Sequence, residues 1–302
     1  MKKESRRWPT LIWLLASLFL ASWLISGVLQ IGNVPLTTGN VAVIQINGPI
    51  AYQQGMGFSR VSPHDTVELI ELAEDSPNIK ALLFDINSPG GTPVASETIV
   101  RAIENLNKTS IAIIRDVGAS GAYWIASACD AIVASKYSMT GSVGVMGSYV
   151  EFSQIMDDYN ISYQRFVGGN LKDIGSPLKK ATYQEKEILQ KYVDKIHEVF
   201  IEDIVANREF TEEQIKEIST GVYYLGIDAQ ELGLIDVIGG DREANSLLRN
   251  AINASVERID FEKKTSFFNT FSKLLSSGMH QMGIGMGQGL KIKDEGYIAE
   301  LR

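Results

Sequence analysis

The chain has 302 residues, enough for one large domain or two small ones with a full hydrophobic core. At 45% apolar, 21% charged and a formal net charge of -8, it has the balance of a folded protein with an acidic surface, without the basic footprint of a nucleic-acid binder. A single cysteine, Cys129, excludes an intrachain disulfide framework and a cysteine-built zinc site, and its small, apolar surroundings predict a buried core residue.

Lys2, Lys3, Arg6 and Arg7 precede an uncharged stretch over 8–33, whose most apolar part, 11–29, is long enough to cross a bilayer as a helix. This pattern predicts a single-pass signal anchor in the cell membrane, with the N-terminus cytoplasmic and the rest of the chain extracytoplasmic. A cleaved signal peptide is the competing reading, but no Ala-x-Ala site ends the run. The expected organisation is a tip, anchor and linker over 1–36, a catalytic domain over 37–245 and a C-terminal extension over 246–302.

After the linker, VAVIQINGPI predicts a strand closed by a turn, and HDTVELIELAEDSPNIK has helical apolar spacing with an acidic start. A mostly apolar strand over 79–86 leads into the turn NSPGG, then a helix in TPVASETIVRAIENLNK and a strand in TSIAIIRDVG. AYWIASACD is helical in spacing, while AIVASK and ISYQRFVGG are expected as strands. The longest amphipathic helix begins at the capping box Thr182-x-x-Glu185, with a stripe at Ile188, Tyr192, Ile196, Phe200 and Ile204 that suits a core or a subunit contact. TEEQIKEI is a short helix, and GVYYLGIDAQELGLIDVIGG reads as strand, helix and closing turn. Strand and helix units with nearly continuous apolar strands predict a layered α/β fold around a mainly parallel sheet. The stretch beyond residue 256, apolar then Gly- and Met-rich, is expected as a tail or appendage.

His64, His197 and His280 lie far apart without metal-ligand spacing, and His197 reads as a solvated helix residue. In DINSPGGTP, Gly90 and Gly91 sit between a strand and a helix, where their N–H groups can face a developing negative charge or simply form a turn. In RDVGASGAYWIA, small residues crowd Ser120 at a strand-to-helix junction, which suits either an exposed nucleophile or a capping serine in a close-packed helix start. A serine nucleophile needs a base at neutral pH. LKDIGSP offers Lys172, either a solvated lysine or, in a pocket poor in water, a neutral amine able to take the serine proton. Ser142, in SMTGSVGVMG, either caps a glycine turn or orients that base.

The anchor together with DINSPGG, GASGAYWIA, TGSVGVMG, LKDIGSP and GVYYLGIDAQELGLIDVIGG, in this order, resembles the short single-domain form of the signal peptide peptidase A family, the S49 Ser-Lys serine peptidases. The resemblance spans about 10–240. It implies a ClpP/crotonase-like fold behind an N-terminal transmembrane helix and a membrane-anchored endopeptidase cleaving remnant signal peptides or other membrane-associated peptides, without cofactor or metal. It places the nucleophile on Ser120, the general base on Lys172, a supporting serine on Ser142, and backbone oxyanion donors on Gly121 and on Gly90 or Gly91. Expected partners are peptide substrates including cleaved signal peptides, the lipid bilayer and further copies of the chain, so that the lysine beside one Ser120 can come from a neighbour. Ala122 departs from the family's usual glycine, and its methyl group is expected to narrow the approach to Ser120. Two readings from other classes stand beside this one: a crotonase-like enzyme acting on acyl thioesters, and a non-catalytic membrane scaffold or peptide-binding quality-control protein.

Overall fold

The structure is a computed structural model that describes residues 39–52 and 60–262, with 13, 16, 17 and 22 besides. Among the described residues, the central parallel strands are β1 (Val41–Asn47), β2 (Ala81–Ser88) and β3 (Thr109–Ala119). They alternate with α1 (Pro63–Asp75), α2 (Pro93–Glu104) and α3 (Gly121–Ser127). Then come β4 (Ala131–Ala134), β5 (Met139–Gly141), α4 (Ser153–Asp158), α5 (Tyr183–Asn207), α6 (Glu212–Ile218), β6 (Tyr223–Leu225), α7 (Gly226–Glu231), β7 (Val237–Ile238), α8 (Asp241–Ile252) and β8 (Arg258–Asp260).

The sheet runs β6-β5-β3-β2-β1-β8, and β3 is where it divides. The first half of β3 pairs with β4, which in turn pairs with β7; its last residues, Val117 to Ala119, pair with β5 instead. All these pairings are parallel except β5 with β6. The division opens a space at the C-terminal end of β3, the end at which open parallel sheets place their ligands.

Both faces of the strands are covered, which is why they are almost continuously apolar. Ile44, Ile46, Phe84, Ile86, Ala112 and Ile114 face a core shared with α1, α2, α3 and α5. The alternate positions Val41, Val43, Leu83, Ile111, Ile113 and Val133 face Ala244 and Leu248 of α8. Thus α8, which straddles residue 245, and β8, which lies beyond it, complete the sheet: one roofs its second face and the other adds a strand beside β1.

Two expectations are corrected here. No helix among the described residues is long and apolar enough to cross a membrane. A crossing needs about 20 predominantly apolar residues, and the longest described helix, α5 with 25 residues, carries charged side chains along its length. The expected anchor over 8–33 lies, apart from Trp13, Ala16, Ser17 and Ser22, outside the described residues. The transmembrane helix, the membrane-anchored activity, the bilayer partner and the cell-membrane placement are therefore not carried further. The second correction concerns ISYQRFVGG: it forms no strand, and its residues are exposed, with no strand among the described residues paired to them.

Candidate active site

Ser120 follows the last residue of β3 and precedes the first residue of α3. Its backbone is at φ 53° and ψ -127°, a left-handed conformation that costs a non-glycine residue of order 1–3 kcal/mol. Two hydrogen bonds hold it there: its N–H donates to the Gly141 carbonyl at 2.8 Å, and its carbonyl accepts from the Trp124 N–H at 3.0 Å. The first ties the junction to β5, which is in place only because β3 changes partners. The result is a half-buried serine at the mouth of the sheet, with strained backbone of the kind that accumulates at functional sites.

The NSPGG turn lies against this junction. The buried Ser88 donates its hydroxyl to the Gly48 carbonyl at 2.7 Å and accepts the Gly90 N–H at 3.1 Å. Gly91 forms a parallel bridge with Ile50, in which the Gly90 carbonyl accepts from Ile50 at 3.0 Å and the Thr92 N–H donates to Ile50 at 3.0 Å. In a parallel bridge the residue at its centre points its own N–H to the other side. The Gly90 N–H is thus spent within the turn, while that of Gly91 faces away from Ile50. A Cβ on Gly91 would lie 1.9 Å from the Ile50 carbonyl oxygen, so the close approach admits only glycine. Gly121, the first residue of α3, has an N–H beyond the reach of intrahelical acceptors.

Ser120, Gly90, Gly91, Gly121 and Ser142 all line one cleft of about 960 Å³. Ser142, also left-handed at φ 51°, is fixed by its N–H bond to the Val222 carbonyl at 2.9 Å. The far wall is α5, contributing Val193, Asp194, His197, Phe200 and Asp203. Trp124 joins floor to wall through its ring contact with Phe200, centroids 5.2 Å apart. Burial, aided by the nearby Glu97 and Glu202, pushes the Asp203 carboxyl above its ordinary pKa against the opposing pull of Arg101.

Other residues fall differently from the sequence-based expectation. His197 is half-buried in the cleft wall, where Nε2 lies 3.1 Å from the Val143 carbonyl and can meet it only as an N–H donor. Ala122 is fully buried in the core and absent from the cleft lining, so its methyl group does not narrow the approach to Ser120. Cys129 is buried, its thiol pushed up by desolvation. His64 is exposed at the start of α1, and His280 lies outside the described residues. Ser96, Trp124 and Phe200 belong to the cleft yet looked like ordinary helix residues in the sequence; the one local sign was the position of Ser96, at the helix start just after NSPGG.

Lys172 is not among the residues that line this cleft. It is exposed, in a turn whose amides bond back along the chain from Lys172 to Gly169 at 3.1 Å and from Ser176 to Asp173 at 3.0 Å. The turn is nonetheless held. Arg165 grips Asp173 through Nε and Nη2 and reaches the Asn170 carbonyl at 2.9 Å; Lys179 bridges Asp173 at 3.1 Å to Glu185, the capping-box residue of α5.

Arg165, then Lys179, hold the Asp173 carboxyl well below the usual carboxylate range, and Lys179 with the Thr182 N–H lowers Glu185. Carboxylates depressed in this way stabilise the turn above the ordinary carboxylate pKa, and the contribution is lost as pH falls through the depressed values. Asp173→Ala at neutral pH should therefore speed amide hydrogen exchange at Lys172, Ile174 and Ser176 by about tenfold or more, while the melting temperature stays close to that of the parent. Unchanged exchange in that variant would show that the ion pairs do not order the turn.

A strained serine at the C-terminal end of a parallel sheet, with unspent backbone N–H groups beside it in a cleft, is the arrangement of a serine hydrolase. The comparisons give the particular family. Residues 102–255 match the model of peptidase family S49. A protein of Methanocaldococcus jannaschii named as a protease, MJ0651, is 30% identical over 92% of this chain and 90% of its own length. A protein of Enterococcus faecium named as signal peptide peptidase SppA is 29% identical over 76% of this chain and 68% of its own. Protease 4 of Haemophilus influenzae is 30% identical over 73% of this chain, which spans 36% of that protein. The chain belongs to peptidase family S49 and is a serine peptidase.

Proposed function

We propose that the chain hydrolyses peptide bonds with Ser120 as nucleophile, Lys172 as general base, Ser142 as the hydroxyl that orients the lysine, and the N–H groups of Gly91 and Gly121 as the oxyanion hole. The observation that carries this reading is the strained Ser120 beside the Gly91 bridge, with the Gly90 N–H already taken by Ser88. In the forward step the Lys172 amine accepts the Ser120 proton and Oγ bonds to the scissile carbonyl carbon, whose π electrons move to oxygen. Two N–H donors meet that charge as it develops, when their contribution to rate is largest. Collapse breaks the C–N bond, and protonated Lys172 gives its proton to the leaving amine. Water then attacks the acyl-enzyme with the lysine again as base, releasing the acid and restoring Ser120.

A lysine works as a base only as the neutral amine, which a site poor in water favours. Lys172 is exposed within one chain, so we propose that it meets the Ser120 of a second copy. In support, only the C-terminal part of the α5 stripe is buried: Phe200 and Ile204 are covered, while Tyr192 and Ile196 face outward. The segment leading to Lys172 also exposes Met146 and Phe166, at 87% and 91%. Such apolar surface next to the cleft fits a self-association face. The reading is tested by whether peptide hydrolysis stops when Ser120 alone is changed and the fold survives.

A further inference from the structure

We infer that Ser96, on α2, is a positioning residue for the oxyanion hole, an inference that rests on Ser120 being the nucleophile. Ser96 is fully buried, and its Oγ has no hydrogen-bond partner among the described residues. A Cβ built on Gly121 would lie 2.1 Å from that oxygen and 3.4 Å from the Gly91 nitrogen. Ser96 Oγ therefore stands against the Gly121 α-carbon, along one of its Cα–H directions, in the manner of a weak Cα–H···O contact. Because the same Cβ position is also close to the Gly91 nitrogen, the oxygen lies near both peptide groups whose N–H donors are assigned to the oxyanion hole.

A serine near the start of a helix ordinarily returns its hydroxyl to a carbonyl one turn back. Ser96 does not: its N–H donates to Thr92 at 3.1 Å, but its hydroxyl makes no such bond. A buried hydroxyl without a partner costs stability, and alanine would occupy nearly the same space without that cost. The oxygen is thus poorly explained by folding alone. Its position explains it better, because α2 begins just after Gly91 and α3 begins at Gly121, so the Ser96 oxygen sets the separation of the two donors. Without it Gly121 can settle toward α2, and a small displacement of an oxyanion donor is felt mainly in the transition state.

Ser96→Ala should therefore separate stability from catalysis. The expected variant melts at or above the parent temperature, keeps KM within about twofold and loses about ten- to a hundredfold in kcat. Affinity for a peptide boronate, which a serine nucleophile converts to a tetrahedral anion, should fall by a similar factor, while affinity for the matching peptide amide is kept. Parent-like kcat and boronate affinity in Ser96→Ala would overturn the inference. So would a lower melting temperature with kcat and KM disturbed together, which is the mark of ordinary packing. Retained hydrolysis in a folded Ser120→Ala chain is a different failure, removing the nucleophile reading on which the inference stands.

Discussion

Replacing Ser120 with alanine is expected to lower peptide hydrolysis by about four orders of magnitude or more while leaving the melting temperature close to that of the parent. Loss of the nucleophile accounts for the rate. The preserved fold follows because the junction is held by backbone groups: the Gly141 carbonyl takes the Ser120 N–H, and the Ser120 carbonyl takes that of Trp124. Alanine keeps the left-handed strain, so Ser120→Gly gives a companion measurement. With φ at 53° and ψ at -127°, glycine should relieve the strain and raise stability by ~1 kcal/mol after its own entropic cost, although that variant is equally inactive. A stabilised but inactive Ser120→Gly would show that the strain belongs to the site's function. A folded Ser120→Ala chain with full activity would remove Ser120 from the mechanism.

The second large effect concerns Lys172. Lys172→Ala alone should be inactive, because no other amine is assigned the serine proton. Co-expression of Lys172→Ala with Ser120→Ala should restore activity if the dyad forms between copies, since one chain then supplies the serine and the other the lysine. At equal amounts and random assembly in a cyclic arrangement, about a quarter of the sites have both groups, setting the ceiling on recovery at about a quarter of the parent activity. Parent activity without any recovery on co-expression would place serine and lysine in one chain. The Asp173 network makes such delivery physically reasonable, because it orders the exposed turn at neutral pH before a second copy covers it.

Much of this was legible in the amino-acid sequence, for identifiable reasons. β1, β2 and β3 are buried on both faces, so their apolar runs are long and unambiguous. Thr182 and Glu185 form the capping box that their spacing predicts. β5 is three residues long, and its role depends on the division of β3, a tertiary event without local signature. In ISYQRFVGG apolar residues suggest a strand, but a strand needs a partner, and among the described residues none pairs with it. α8 follows Gly239 and Gly240, which read as a closing turn, although its Ala244, Leu247, Leu248 and Ile252 pack against the second face of the sheet.

At the site, the small residues around Ser120 marked a crowded junction, and the turn after β2 marked backbone donors. That the Gly90 N–H is taken within the turn, and that of Gly91 is not, depends on where Ser88 puts its hydroxyl, a hydrogen bond that sequence spacing does not reveal. The place of Lys172 was hidden for a deeper reason: it sits in an exposed turn outside the cleft that Ser120 lines, and that turn is set by ion pairs between distant residues. Ser96 was hidden because a serine near a helix start is ordinarily a local hydrogen-bonding residue.

The most direct measurement is peptide mapping by mass spectrometry after reaction with a fluorophosphonate, carried through until hydrolysis is fully blocked. The predicted result is a single adduct on Ser120, formed slowly in Lys172→Ala and absent from Ser120→Ala. An adduct on Ser142 or another serine that accompanies the loss of activity, or hydrolysis that continues with Ser120 fully modified, would contradict the assignment of Ser120 as the nucleophile.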